Sequence, residues 1–472
     1  MYNDILLKDL HNLQNIIDDF TLSEPINDTE KEDIQETMNE LMHIFIEEHI
    51  ELMSNPHFET YLEEYVIENV EKFLIYSDLF DNTTIDEIIK PILEDIYKSA
   101  YTIYFKSILP KRSCGPTFIR NHSINIEKMR TKINMIKSKP QPAQKTDEWY
   151  TFRHNVLTAS NIWKALKSES TKNQLIYEKC RPLNTEKYNS VNMDSTLHHG
   201  NKYEDVSIMI YENKYNTKIE DFGCIQHDNH TFIGASPDGI IVDETSPLFG
   251  RMLEIKNIVN REINGIPKEE YWIQMQVQME TCNLNECDFL ETRFYEYEDE
   301  DAFKNDGTFT TNEDGKLKGM MVCFMIDKFP KYEYAPLNLS REENEKWVET
   351  TMNKYNDGTW LKNIYWRLEE YSCVLVLRNK KWFDSVVPKI KELWTIIEKE
   401  RIDGYDHRKP KKMIKKKEIK EISTNNTSIN KCLIEIDTSD LNVDIITDNN
   451  SEDKLKDENH KNLLSHQEMK KE

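Results

Sequence analysis

The chain has 472 residues, more than one ordinary core organises, and carries 61 Lys plus Arg against 85 Asp plus Glu, a net charge of −24. That balance excludes a general nucleic-acid coating protein, whose affinity comes from neutralising phosphates. It leaves room for an enzyme whose local groove and bound metal ions govern the contact. No run of about 18 apolar residues occurs and Met1-Tyr2-Asn3-Asp4 lacks a signal-peptide layout, so a soluble, intracellular protein with no membrane partner is expected.

Residues 1–108 read as an acidic, all-helical accessory region. Ile5 to Ile17, Ile34 to Ile46, Phe58 to Val66 and Ile85 to Ile96 are apolar stripes at helical spacing, with Pro91 expected to kink or restart the fourth. A connector, 109–145, ends in the Pro-rich run 137–145, which a helix cannot cross. Residues 146–404 then alternate. Helices are expected near 158–168 and 200–214, and strands at 231–235, 240–243 and 252–259. A helix at 269–281 follows, then strands at 289–297, 319–327 and 372–378, and a last helix carrying Trp382, Ile390, Leu393, Trp394 and Ile397 as core. This is an α/β pattern. From 405 to 472 a basic run (Arg408, Lys409, Lys411, Lys412, Lys415, Lys416, Lys417) precedes a polar, disordered tail, either a DNA-affinity element, a nuclear address or a solvated tail. Eight cysteines, none in a C-x-x-C, indicate reduced thiols and no zinc site.

The chemistry concentrates in Ser236-Pro237-Asp238-Gly239 and, fifteen residues on, Glu254-Ile255-Lys256. Two acidic oxygen ligands suit Mg²⁺ or Mn²⁺. Strand alternation puts Glu254 and Lys256 on one face and Ile255 in the core, so Lys256 sits beside the ion to hold or deprotonate a water. Each half also has an ordinary use: Pro-Asp-Gly as a turn, Glu-x-Lys as a solvated pair.

Six elements in order resemble one family. In chain order they include Glu148-Trp149 with Arg153, Leu157-Thr158-Ala159-Ser160, Gly200 with Glu204, Gly234 to Gly239, Leu253 to Lys256 and Tyr271-x-x-Gln274-x-Gln276; Lys111-Arg112-Ser113 upstream and Trp366 to Arg401 downstream look like a large-DNA-virus subgroup. From about Pro140 to Tyr297 the chain resembles the YqaJ-type viral recombinases, relatives of phage lambda exonuclease in the PD-(D/E)xK nuclease superfamily. The resemblance implies a restriction-endonuclease-like core: a small mixed sheet flanked by helices. It implies Asp238, Glu254, Lys256 and Gln274 as catalytic residues. Glu204, Asp238, Glu254 and the Ile255 backbone carbonyl become ligands of two Mg²⁺ (or Mn²⁺) ions, and Arg153 and Ser160 hold a DNA 5′ phosphate. Gln276 and Gln278 would be support or helix surface.

The implied activity is a Mg²⁺-dependent deoxyribonuclease, an exonuclease running 5′ to 3′ on double-stranded DNA ends. It would leave 3′ single strands for viral recombination or repair, with a single-strand annealing protein and a ring-shaped homo-oligomer as partners. The expected location is the host cytoplasm or a viral replication compartment. A structure-selective endonuclease with the same metal core, or a non-catalytic interaction protein on a nuclease fold, are the alternatives.

Overall fold

The computed structural model describes residues 25–119, 124–142, 144, 146–183, 192–355 and 358–409. The stripe at 5–17 and the tail from 410, with most of its basic run, lie outside the described residues. Helix α1 (Asp28–His49) begins at a reciprocal cap between Asn27 and Glu30 and buries Met38, Met42, Phe45 and Ile46. A short turn, Ile50–Ser54, leads to α2 (Phe58–Tyr76), which buries Phe58, Leu62 and Val66. The 85–96 stripe divides into a wide turn over Ile85–Ile89 and α3 (Lys90–Ser107). Pro91 lies in the first turn of α3, where its missing N–H removes no helical bond, so it restarts the helix. Helix α4 (Ile126–Ser138) stops just before Lys139-Pro140.

Beyond it come α5 (Asp147–His154), β1 (Leu157–Thr158) and α6 (Ala159–Ile162), then α7 (Glu169–Cys180) and α8 (Thr196–Tyr215). The single helix expected near 158–168 is instead the one-turn α6 followed by a tighter 3₁₀ turn, Trp163–Leu166. Strands β2 (Ile219–Glu220), β3 (Ile225–Gln226), β4 (Ile233–Ala235), β5 (Gly239–Ile241) and β6 (Met252–Asn257) precede α9 (Glu269–Cys282). Next come β7 (Glu286–Glu296), α10 (Glu300–Asn305), β8 (Lys318–Ile326), β9 (Phe329–Tyr334), α11 (Arg341–Lys354), β10 (Thr359–Leu377) and α12 (Lys380–Asp403).

Seven strands form one mixed sheet in the order β2-β5-β6-β7-β10-β8-β9, and β1-β4-β3 form a second, three-stranded one. The sheet is larger than the small one expected. The short strand expected at 372–378 is the end of the 19-residue β10, which bridges β7 and β8. In the large sheet only β6 and β7 run parallel, pairing Met252 with Cys287 through Asn257 with Thr292. Such a pair needs a crossover helix, which α9 provides. Asn216 and Asn283 take the left-handed conformation and end α8 and α9, releasing the chain into the sheet. Helix α9 is buried nearly all round (Trp272, Ile273, Met275, Val277, Met279), so every polar side chain on it needs an internal partner. Trp382, Trp394 and Ile397 are core, as their spacing predicts.

Arg112 ties the helical region to α9. Its guanidinium is 1% exposed and donates to the carbonyls of Ser54 (3.0 Å) and Pro267 (2.6 Å), while its own carbonyl accepts from Trp272 Nε1 at 2.8 Å.

Candidate active site

The site is built where β5 and β6 meet under α9. Strand β6 reads Met-Leu-Glu-Ile-Lys-Asn, and pairing on both sides fixes its register, Gly239 opposite Leu253 and Lys256 opposite Glu291. Alternation then sets Glu254 and Lys256 on one face. Asp238, just before β5, folds back so that its Oδ2 accepts from the Ile255 N–H at 2.7 Å. A Cβ on Gly239 would lie 2.2 Å from Ile219 Cγ2, so the turn after Asp238 closes on β2 only with glycine there.

Glu254 is fully buried and both of its oxygens are hydrogen-bonded. Oε1 accepts from Lys256 Nζ and from Gln274 Nε2 (2.7 Å), and Oε2 accepts from Gln278 Nε2 at 2.7 Å. The same Gln278 amide also donates to the Ser236 carbonyl at 3.1 Å, so one side chain of α9 spans both motif segments. Sequence spacing leaves Gln276 and Gln278 between support and helix surface, whereas both are completely buried. Gln276 serves the scaffold, bonding the Leu377 carbonyl and the Asn379 N–H. Gln278 belongs to the site. Its position one helical turn after Gln274 was the available signal.

The electrostatics follow from this crowding. Burial, then the neighbouring Glu254 and, more weakly, Glu204 carboxylates push the Asp238 carboxyl well above the usual aspartate range, against the pull of Lys256 and the Ile255 N–H. Burial acts to lower the Lys256 pKa, but Glu254 and Asp238 outweigh it and hold the ammonium well above the usual lysine range. Its side chain also lies 5.0 Å from the Tyr271 ring centre. Glu204 thus stands within electrostatic reach on α8, beside the buried Tyr203, Val206 and Ser207.

Among the described residues no three His, Cys, Asp or Glu side chains converge as a ready ligand set. The donor chemistry nevertheless fits a hard divalent cation. The carboxylates of Asp238, just before β5, and Glu254, on β6, repel each other while Lys256 attracts Asp238, and a cation is what relieves such a pair. Oε1 of Glu254 already holds Lys256 and Gln274, whereas Oε2 accepts from Gln278 alone and keeps a lone pair for a cation.

Arg153, on α5, and Ser160, in α6, lie beside the smaller sheet. Arg153 stacks on Trp149, 4.4 Å from guanidinium to ring centre, and its Nη1 lies 3.4 Å from Ser236 Oγ, two residues before Asp238. Ser160 follows β1, whose Thr158 pairs with Gly234, and its Oγ is 3.2 Å from Thr158 Oγ1. Both residues therefore arrive near the end of β4, the strand that leads into Ser236. Trp149 as the platform for Arg153 and Ser236 as its partner were not singled out from the sequence. His198 sits in the first turn of α8 and bonds Tyr332 Oη (2.6 Å), while His227 takes two backbone N–H donors between β3 and β4. Neither histidine joins the carboxylates. Among the described residues seven cysteines are free, and no helix is long and apolar enough to cross a membrane.

The fold is that of a mixed α/β protein with an N-terminal helical region. Residues 148–285, the segment holding Arg153, Ser160, Glu204, Asp238, Glu254, Lys256, Gln274 and Gln278, match the family model of the YqaJ-like viral recombinase domain. Over 307 residues the chain is 33% identical to an uncharacterized protein of Acanthamoeba polyphaga mimivirus, covering 57% of this chain and 54% of the relative. The chain thus spans about half the length of the curated relative it matches. Among solved structures it is similar to an alkaline exonuclease (LHK-Exo) from Laribacter hongkongensis and to the same protein in complex with dAMP. Each is 16% identical, with a TM-score of 0.32, covering 54% of this chain and 94% of that one.

Proposed function

We propose that this protein is a divalent-cation-dependent deoxyribonuclease that degrades duplex DNA from a 5′ end. The observation that carries the reading is the convergence of Asp238, Glu254 and Lys256 on one buried point, held by Gln274 and Gln278. A buried pair of like charges is costly to a fold, and a role in chemistry is the natural reason to keep it. Asp238, Glu254 and the Ile255 carbonyl would hold Mg²⁺ or Mn²⁺, with Glu204 reaching it directly or through water. Two ions about 3.5–4 Å apart would supply polarisation of the attacking water and of the leaving 3′ oxygen.

This chain's own residues do the rest. Gln274 and Gln278 fix the rotamer of Glu254, and Ile255 N–H fixes that of Asp238. Lys256, held as an ammonium, donates to the water or to a phosphate oxygen and offsets charge that builds on the phosphorane oxygens. Arg153, stiffened by Trp149, and Ser160 would bind the terminal phosphate, with the guanidinium offering two parallel donors. The 3′ single strands left exposed would supply an annealing protein in recombination or repair of viral DNA, and a ring-shaped homo-oligomer would keep the enzyme on its duplex.

The test is digestion of one duplex in linear and closed-circular form, with 5′-phosphate or 5′-hydroxyl ends, by wild type and Arg153→Ala. The reading expects digestion of the linear form alone, faster with a 5′ phosphate, and loss of that preference in the variant. Equal cutting of the circle would favour the endonuclease alternative.

A further inference from the structure

Beneath the Arg153 turn lies a buried lysine that the chemistry above does not use. Lys179, on α7, is 7% exposed, and its ammonium donates to the carbonyls of Arg153 (2.6 Å) and Val156 (2.7 Å). Arg401, from α12, closes the other side. It donates to the His154 carbonyl (2.8 Å), to the Lys179 carbonyl (2.8 and 3.0 Å), and to Asn155 Oδ1 at 3.3 Å. Cations from two helices thus cap the last carbonyls of α5, the helix that carries Arg153.

No carboxylate is hydrogen-bonded to this ammonium among the contacts just given. The charged and titratable groups that face it are Arg153 and His154 from α5, Arg401 from α12, Cys224 ahead of β3, and Glu178 beside it on α7. Two of these are guanidinium groups, and the buried Cys224 thiol is itself pushed up by burial. A cation in a buried, net-positive corner is costly on its own and is relieved by an anion.

We propose that Lys179 is a positioning residue for the terminal phosphate. It holds the Arg153 turn in place, and it takes up a proton when a phosphate monoester binds beside Arg153. The proposal rests on the reading of Arg153 and Ser160 as the phosphate contacts. Burial first, then Arg153 and Arg401, push the Lys179 pKa down to about 7. An anion at Arg153 cancels the repulsion and raises it. Affinity for the phosphorylated end is then fullest below the free-state value and falls as pH climbs from there through the bound-state value. The phosphate's own second ionisation, near 6, is about nine-tenths complete by pH 7, so it contributes little over the pH range of the fall.

The experiment measures binding of the wild-type full chain, in EDTA, to one duplex bearing either a 5′ phosphate or a 5′ hydroxyl. The ratio of the two affinities is expected to fall about tenfold between pH 7 and pH 9. In Lys179→Met it should be low and flat across that range. Calorimetry on the wild type in two buffers of different ionisation enthalpy needs no variant to fold. At pH 8 the phosphorylated end should take up about half a proton more than the hydroxyl end. A phosphate preference that stays flat with pH and takes up no proton overturns the role of Lys179 while the pocket stands. No preference at any pH removes both.

Discussion

Asp238→Asn separates the cost of the site from its purpose. In the absence of a divalent cation, Asp238 is a buried carboxyl crowded by Glu254 and Glu204, and the fold penalises its ionised form. Asparagine keeps an oxygen for the Ile255 N–H, so the 2.7 Å bond survives as a neutral one, at a loss of about 1 kcal/mol, and the attraction to Lys256 is lost. Removing the buried charge outweighs both. We expect the variant to be more stable than wild type by about 1–2 kcal/mol in EDTA at pH 8, read as a Tm higher by roughly 1 °C per kcal/mol for a unit of this size. The sign with pH follows from the direction of the shift. A carboxyl with a raised folded-state pKa has its full stability only below the unfolded value, near 3.9, and loses it as pH rises through the folded value. The gap should therefore close near pH 4 and open toward neutrality. Saturating Mg²⁺ reverses the order: at a hundred times Kd the wild type gains about 2.7 kcal/mol and the variant little. Differential scanning calorimetry across this grid decides the matter. A variant that melts lower than wild type in EDTA, or equal Mg²⁺ responses in the two proteins, would refute the reasoning.

Three further outcomes follow from the same contacts. Gln278→Leu removes the donor shared by Glu254 Oε2 and the Ser236 carbonyl, leaving buried acceptors unpaired. It should cost about 2–4 kcal/mol in urea denaturation and lower kcat more than it raises KM. Arg112→Met strips two buried carbonyls of their donor, partly offset by removal of a buried charge. A loss of about 2–3 kcal/mol is expected, seen as a lower urea midpoint. Gly319→Ala would set a Cβ 2.3 Å from Cζ2 of the fully buried Trp366, and the overpacking should cost about 1–3 kcal/mol by thermal melting with nuclease activity retained below the melt.

Much of the site was legible because strands alternate. Glu-x-Lys on β6 could only place both side chains on one face, and Pro-Asp-Gly could only turn the chain back toward it. Gln278 was harder to read. Helix α9 has no polar face, so the one-turn spacing from Gln274 is the single periodic hint that Gln278 shares its role. The length of β10 was hidden for a related reason. Between Lys362 and Glu370 its charges are matched across strands and along the strand, Arg293 to Glu370 and Lys316 and Arg367 to Glu369, a pattern that reads as solvated loop until the partners are known. Lys179 was invisible because its partners are backbone carbonyls, which no spacing of residue types reveals.

The most direct test of the central claim follows release of nucleotides from a linear, 5′-phosphorylated duplex in Mg²⁺ by wild type, Asp238→Ala and Glu254→Gln. The site described here predicts steady release by wild type and a loss of at least a hundredfold in each variant, with thermal melts showing all three folded. Release by either folded variant at the wild-type rate would contradict it.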